Sequence, residues 1–426
     1  MEQEMAARAR LKRPPAAIGR AAALRFVVLL GVVSLLADAT YEGARSVVGS
    51  YLGTLGATAA GVGVVAGLGE LLGYTLRLLS GRLADRTRRY WAITIVGYTV
   101  NLAAVPLLAL ARGWGTAAAL VVAERIGKAI RTPARDAMLS HATQQVGRGW
   151  GFGLHEALDQ VGAVLGPLLV AGALAAGSAY RGAFALLAAP AALALGVLVA
   201  ARRLYPRPRD LEVADAAPAV AGLGPRFRRY VLAVALVAAG YADFALIAYH
   251  LQRHALVPAP WVPLLYAAAM GTDAAAALAL GWRYDRVGTA VLVPTTAVAA
   301  AFAPLAFLGG PASVVAGMLL WGLGMGAQES VVRAAVAEMA PPEHRAGAYG
   351  VLNAVYGFAW FGGSALMGVL YDRSLVALVA FSVATQLAAL PLLVAVSRQP
   401  RGSVGPAGAA TPASRPEPPE APHPPR

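Results

Sequence analysis

The segment from Glu124 to Asp136 carries six charges in thirteen residues, inside a chain that is 58% hydrophobic and only 14% charged. On a helix, Glu124, Lys128, Arg131 and Arg135 fall at i, i+4, i+7 and i+11, on one narrow face, while Arg125 and Asp136 share a second. Charges in an apolar helix are costly, so they face a protein interior or a wet cavity. Three bases against one acid along the Glu124 face call for acidic partners or an anion. Asp38, Glu42 and Arg45, at i, i+4 and i+7, form another polar face: a compensated acid–base pair with one carboxylate to spare. That arrangement suits proton carriage, and it would serve equally as a structural salt-bridge cluster. His155, Glu156 and Asp159 place an imidazole beside two carboxylates, which suits proton relay.

Histidine with carboxylates could also hold a divalent ion, but no second histidine stands at ligand spacing on that helix, so no metal is expected. Asp243, His250, Asp273, Gln328, Glu329, Arg333, Asn353 and Tyr356 are thinner material for an opposite wall. Glu70 and Arg77, at i and i+7, read as structural or functional alike. No phosphate-binding loop and no nucleophile–base arrangement stands out, so neither a cofactor nor an enzyme is expected.

The elements that position these groups follow from composition. The mean hydropathy is +0.60, and apolar runs near 20 residues recur along the 426-residue chain. A soluble chain of this length would carry about 25% charged residues; this one reads as an all-α membrane protein with about twelve spans. Their expected bounds are 25–52, 58–79, 91–111, 115–139, 150–176, 181–201, 228–252, 260–281, 289–308, 312–338, 346–370 and 374–397. The 36 Lys and Arg against 22 Asp and Glu sit mostly at the ends of apolar segments, as topology signals and contacts for anionic lipid rather than for nucleic acid. Their bias places both termini in the cytoplasm of a cell (inner) membrane protein. The absence of cysteine excludes disulfides and thiolate metal sites.

The expected organisation is a basic tail (1–24), a six-helix bundle (25–201), a charged cytoplasmic linker (202–227), a second bundle (228–397) and a disordered Pro-rich tail (398–426). The two bundles repeat one another. Asp38 and Asp243, Arg45 and His250, Glu124 and Glu329, and Lys128 and Arg333 are each 205 residues apart; Gly81-x-x-x-Asp85-Arg86 returns 200 later as Gly281-x-x-x-Asp285-Arg286. Two duplicated halves are the layout of a rocking transporter with its site between them.

The stretch Gly81-Arg82-Leu83-Ala84-Asp85-Arg86-Thr87-Arg88-Arg89 resembles the G-x-L-A-D-R-x-G-R-R loop signature of the major facilitator superfamily, departing from it at Arg88, where the family favours glycine. The resemblance covers about residues 25–397 and implies twelve helices in two pseudo-symmetric six-helix bundles. It also implies that Asp85, Arg86 and Arg89, with Asp136 as a plausible partner, and Asp285 and Arg286 in the second copy, form a charge clamp that stabilises one gate state. Gly162-x-x-x-Gly166-Pro167 is similar to the core of the family's antiporter signature, with Val170-Ala171 replacing the glycine pair that usually follows. Those glycines equally suit ordinary small-residue helix packing. The expected function is proton-coupled export of a small drug- or metabolite-like molecule by a monomer. Import or uniport of an organic anion is the alternative, and a non-transporting receptor a third reading.

Overall fold

A computed structural model describes residues 20–146, 148–206, 224–339 and 345–398. The expected tails, apart from a few residues at their inner ends, and the middle of the expected linker lie outside them. The described residues form helices joined by short turns, with no strand. The first half comprises α1 (Arg20–Thr54), α2 (Ala59–Thr87), α3 (Tyr90–Leu107), α4 (Trp114–Val146), α5 (Arg148–Ala175), α6 (Tyr180–Leu186) and α7 (Ala188–Leu204). The second comprises α8 (Pro225–Gly240), α9 (Phe244–Arg253), α10 (Trp261–Val287), α11 (Leu292–Ala299), α12 (Phe302–Leu308), α13 (Pro311–Gly326), α14 (Val332–Met339), α15 (Arg345–Arg373) and α16 (Leu375–Ser397).

Nine stretches among the described residues are long and apolar enough to cross a membrane. Three physical features reconcile this number with twelve crossings. Trp261–Leu308 counts once but holds 48 residues, about 70 Å at 1.5 Å per residue, and reverses at Gly288, so it crosses twice. α4 is long enough to cross but carries too many charges to read as apolar. The tenth crossing is interrupted after Gly326 by a π-helical turn, Ala327–Val331, so neither of its pieces reaches spanning length.

Breaks and continuities follow proline and the supply of hydrogen bonds. Pro190 clashes with the carbonyl four residues back, and the sixth crossing divides there into α6 and α7. Pro304 acts likewise between α11 and α12. In the seventh crossing the chain opens between Gly240 and Phe244. The freed Gly240 carbonyl accepts from Ser382 Oγ at 2.6 Å and Gln386 Nε2 at 3.3 Å on α16, and Asp243 caps the restart by accepting from Ala245 N at 2.9 Å. Pro133 lies inside α4, which runs on to Val146. Its lost donor is replaced from α2, since Ser80 Oγ donates to Ala129 O at 2.8 Å.

The signature expected in a loop is partly helix: Gly81 to Thr87 belong to α2, and only Arg88 and Arg89 make the turn. Arg88 is left-handed, with φ 56° and ψ 20°, and Gly288, 200 residues on, holds φ 65° after α10. Both copies therefore need a positive φ at one position, and only one uses glycine. Arg88→Gly should stabilise the turn by about 1 kcal/mol, read as a higher unfolding midpoint in detergent; an unchanged or lower midpoint would show that the exposed guanidinium matters more than the strain.

The Gly162–Gly166 face seats α5 on α1. A Cβ on Gly162 would collide with the Leu35 carbonyl, and one on Gly166 with the Ala39 carbonyl. Gly166→Val should cost about 1–3 kcal/mol through overpacking, checked by thermal unfolding against Gly172→Val, a position on the same helix with open space around its Cα.

At the end of the bundle carrying the Thr54–Ala59 turn, the halves meet backbone to backbone. Gly49 lies against Ala245 and Gly63 against Ser364, with no room for a Cβ at either. Ser50 Oγ donates to Ala248 O at 2.8 Å, and the Asp372 carboxylate receives the Ala59 and Ala60 amides at 3.3 and 3.0 Å.

Candidate functional site

Beneath that seal lies a cavity of about 690 Å³ between the halves. On α1, α2 and α15 its lining comes after the sealing residues on the way to the opposite end: Asp38 to Arg45 below Gly49 on α1, Glu70 to Arg77 beyond Gly63 on α2, and Tyr349 to Trp360 before Ser364 on α15. Of its twenty-seven described lining residues, seven are Arg or Lys and eight are Asp or Glu. The cavity is ionic to a degree that a hydrophobic pocket is not.

Five of the seven cations are paired. Arg45 reaches Glu42 at 3.8 Å, Glu70 at 3.2 Å and, across the halves, Asp243 at 3.5 Å. Arg125 pairs with Glu70 at 3.4 Å and Glu124 at 3.2 Å, and Lys128 with Glu42 at 3.8 Å. Arg131, only 1% exposed, lies over the Tyr98 and Tyr41 rings at 4.2 and 5.7 Å with Asp38 at 4.0 Å. Arg135 meets Asp136 at 2.8 Å and Asp159 at 3.9 Å, and donates to Ser34 Oγ at 3.0 Å. That hydroxyl lies 3.3 Å from His155 Nε2, itself 3.8 Å from Asp159, so the expected His–Asp pairing occurs with Arg135 and Ser34 added to it. Tyr266 OH donates to Glu42 across the halves.

The remaining cations, Arg77 and Arg333, have no carboxylate within ion-pair distance among the described residues, and neither do the acids Glu156, Asp273 and Glu329 have a cation there. Asp273 is 1% exposed, and its Oδ1 is shielded from solvent without a hydrogen-bond partner. Tyr74 and Tyr356 stack edge to face at 5.2 Å on the wall between the halves, with Arg77 5.5 Å above the Tyr74 ring.

The structure thus gathers most of the sequence candidates and separates a few. Asp38, Glu42, Arg45, Arg125, Lys128, His155, Glu156, Asp159, Glu329, Arg333, Asn353 and Tyr356 all line the cavity, with Asp136. Glu124 does not: it lies between α3 and α4, where Asn101 Nδ2 donates to its carboxylate at 2.7 Å and to its carbonyl at 3.1 Å. Its counterpart Glu329 does face the cavity, because it sits in the π turn, whose extra residue rotates the helix face by about 100° relative to a regular α-helix. Asp243 is a helix cap and partner of Arg45, and His250 lies outside the cavity with Tyr371 OH 2.9 Å from its Nδ1. Asp38 pairs with Arg131 rather than Arg45. Asp136 pairs with Arg135, its neighbour, while Arg86 and Arg89 are exposed; the Asp85 side chain lies outside the described residues. Tyr74, Tyr98, Tyr266 and Asn101 touch the charged groups of this site and escaped sequence reasoning, since a tyrosine or asparagine in an apolar run gives no sign of its direction.

A helical bundle with a sealed end and a charged cavity between repeated halves is the architecture of a membrane carrier. The family model for the Major Facilitator Superfamily matches residues 30–364 and 257–419, and the chain belongs to that superfamily. It is 47% identical over 386 residues to an uncharacterized protein of Mycobacterium tuberculosis, covering 89% of this chain and 94% of that one. An uncharacterized MFS-type transporter of Methanocaldococcus jannaschii is 34% identical over 143 residues, 34% of this chain and 36% of that one. Among solved structures, a mutant of the nucleoside transporter NupG superposes with a TM-score of 0.70 at 14% identity, covering 86% of this chain and 99% of that one. The peptide transporter POT in complex with sulfate gives 0.70 at 17%, covering 87% and 93%. At these identities the likeness is one of fold.

Proposed function

We propose that this transporter exports a small, polar, ionic organic molecule across the plasma membrane in exchange for protons, with both termini in the cytoplasm and the sealed end facing outward. Substrate binds in the central cavity, and the halves rock about it to expose it to each side in turn. The observation that carries the reading is Asp273, a cavity carboxylate only 1% exposed with no cation within ion-pair distance among the described residues, beside the half-buried Glu329. A carboxylate held away from water persists either neutral, with a proton bound, or beside a positive charge. A proton and a positively charged group of the substrate therefore compete for one place, and that competition is what exchange requires.

The charged lining argues against purely hydrophobic cargo, since a hydrophobic guest would leave these groups desolvated and unsatisfied. The test uses proteoliposomes with a pH-sensitive dye inside and candidate zwitterionic and cationic metabolites as cargo. Export-type exchange requires cargo movement to reverse when the pH gradient is reversed. Flux indifferent to the gradient would reject proton coupling, and accumulation of organic anions alone would make the protein an importer or uniporter.

A further inference from the structure

We propose that Arg77 and Arg333 form an anion subsite of the cavity, so that the cargo carries a carboxylate, phosphate or sulfonate group. The proposal rests on the cavity being the substrate site. Sequence alone points to the cations of α4 as the anion-binding groups, but Arg125, Lys128, Arg131 and Arg135 each have a carboxylate within 4.0 Å, as does Arg45. Their charge is already matched. Arg77 and Arg333 are the two described cavity cations without such a partner, and Arg77 Nε is shielded from solvent with no acceptor.

Glu329, four residues before Arg333, and Glu70 and Asp136 near Arg77 attract them from beyond ion-pair distance, yet a cation without a close counterion at membrane depth stays costly, and two facing one volume repel. A single anion relieves both costs. Guanidinium groups suit it, because their planar forks take carboxylate and phosphate oxygens two at a time. The surroundings fit an organic anion: Arg77 sits above the Tyr74 ring, Tyr74 meets Tyr356, and the Asn353 amide lies on the same wall. The two arginines also belong to opposite halves, Arg77 on α2 and Arg333 on α14. An anion held by both links the halves on the side away from the seal, and cargo without it lacks that link.

Binding can be read without transport. The purified full-length chain is heated in detergent with benzoate, phenyl phosphate or the neutral benzyl alcohol at matched ionic strength, because a ligand that binds the folded state raises the apparent unfolding temperature. Benzoate and phenyl phosphate should raise it by a few degrees and benzyl alcohol should not. The rise should vanish in Arg77→Gln and in Arg333→Gln, and persist in Arg373→Gln, which lies on the exposed surface. Should Arg77→Gln not fold, Arg333→Gln decides alone. Equal shifts from the acid and the alcohol, no shift from either anion, or an anion shift surviving loss of both arginines would overturn the subsite. The proton reading fails separately, in the dye assay, whatever the anions do here.

Discussion

Arg45→Ala is expected to destabilise the protein by about 3–5 kcal/mol, the usual consequence of removing one partner from a buried ionic network. Arg45 serves Glu42, Glu70 and Asp243 at once. Lys128 and Arg125 remain for Glu42 and Glu70, but Asp243 has no other ion pair among the described residues. Thermal unfolding in detergent, with Arg45→Lys as a partial rescue, measures the effect; a midpoint within a degree of the parent would mean that the network contributes nothing. Asp243→Asn separates stability from conformation. Asparagine caps a helix about as well as aspartate, so α9 should persist while the ionic arm between the halves is lost. The expected outcome is a larger population opened at the Thr54–Ala59 end. The chain has no cysteine, so a single cysteine at Ser50, which bonds Ala248 across the seal, reports that opening by its labelling rate. Labelling no faster than in the parent would remove Arg45–Asp243 from the seal.

The combined substitution of Asp273→Asn and Glu329→Gln should lower proton-coupled flux at least tenfold while leaving the fold intact. Both are isosteric and both remove a carboxylate with no cation at ion-pair distance among the described residues. A structural salt bridge loses stability when neutralised; an uncompensated carboxylate does not. The two readouts therefore separate the roles. Retained stability with lost proton movement supports a proton site, whereas lost stability with retained movement assigns the pair to architecture. Each single variant should fall between the parent and the double. Proton movement unchanged in the double variant would leave the coupling reading without its carrier.

The path from sequence to this site is uneven for identifiable reasons. The α4 charges were legible because six charges in an apolar run have few places to go, and the duplication was legible because it repeats residue types at nearly fixed offsets. What the spacing could not give is direction beyond an ideal helix. Glu124 and Lys128 are four apart and read as one face, yet Asn101 on α3 draws Glu124 aside while Lys128 lies 3.9 Å over the Tyr41 ring at the cavity wall. Glu329 reaches the cavity through a π turn that no residue type announces. The cross-helix partners, Asp38 with Arg131 and Arg45 with Asp243, depend on how helices pack, and one-helix periodicity is silent on that. Pro133 illustrates the same limit, since its helix survives because of a serine on another helix.

The nearly balanced lining also bears on membrane voltage. Among the described lining residues seven cations face eight carboxylates, and Glu124 and Asp243 pair with two of those cations from behind the wall. Moving one elementary charge through the whole field costs about 2.3 kcal/mol per 100 mV. Each proton taken up by Asp273 or Glu329 adds one positive charge to what the carrier moves, so a negative cell interior favours its inward passage. Current recorded from reconstituted protein during turnover therefore reports the protons held on that pair together with the charge of the cargo.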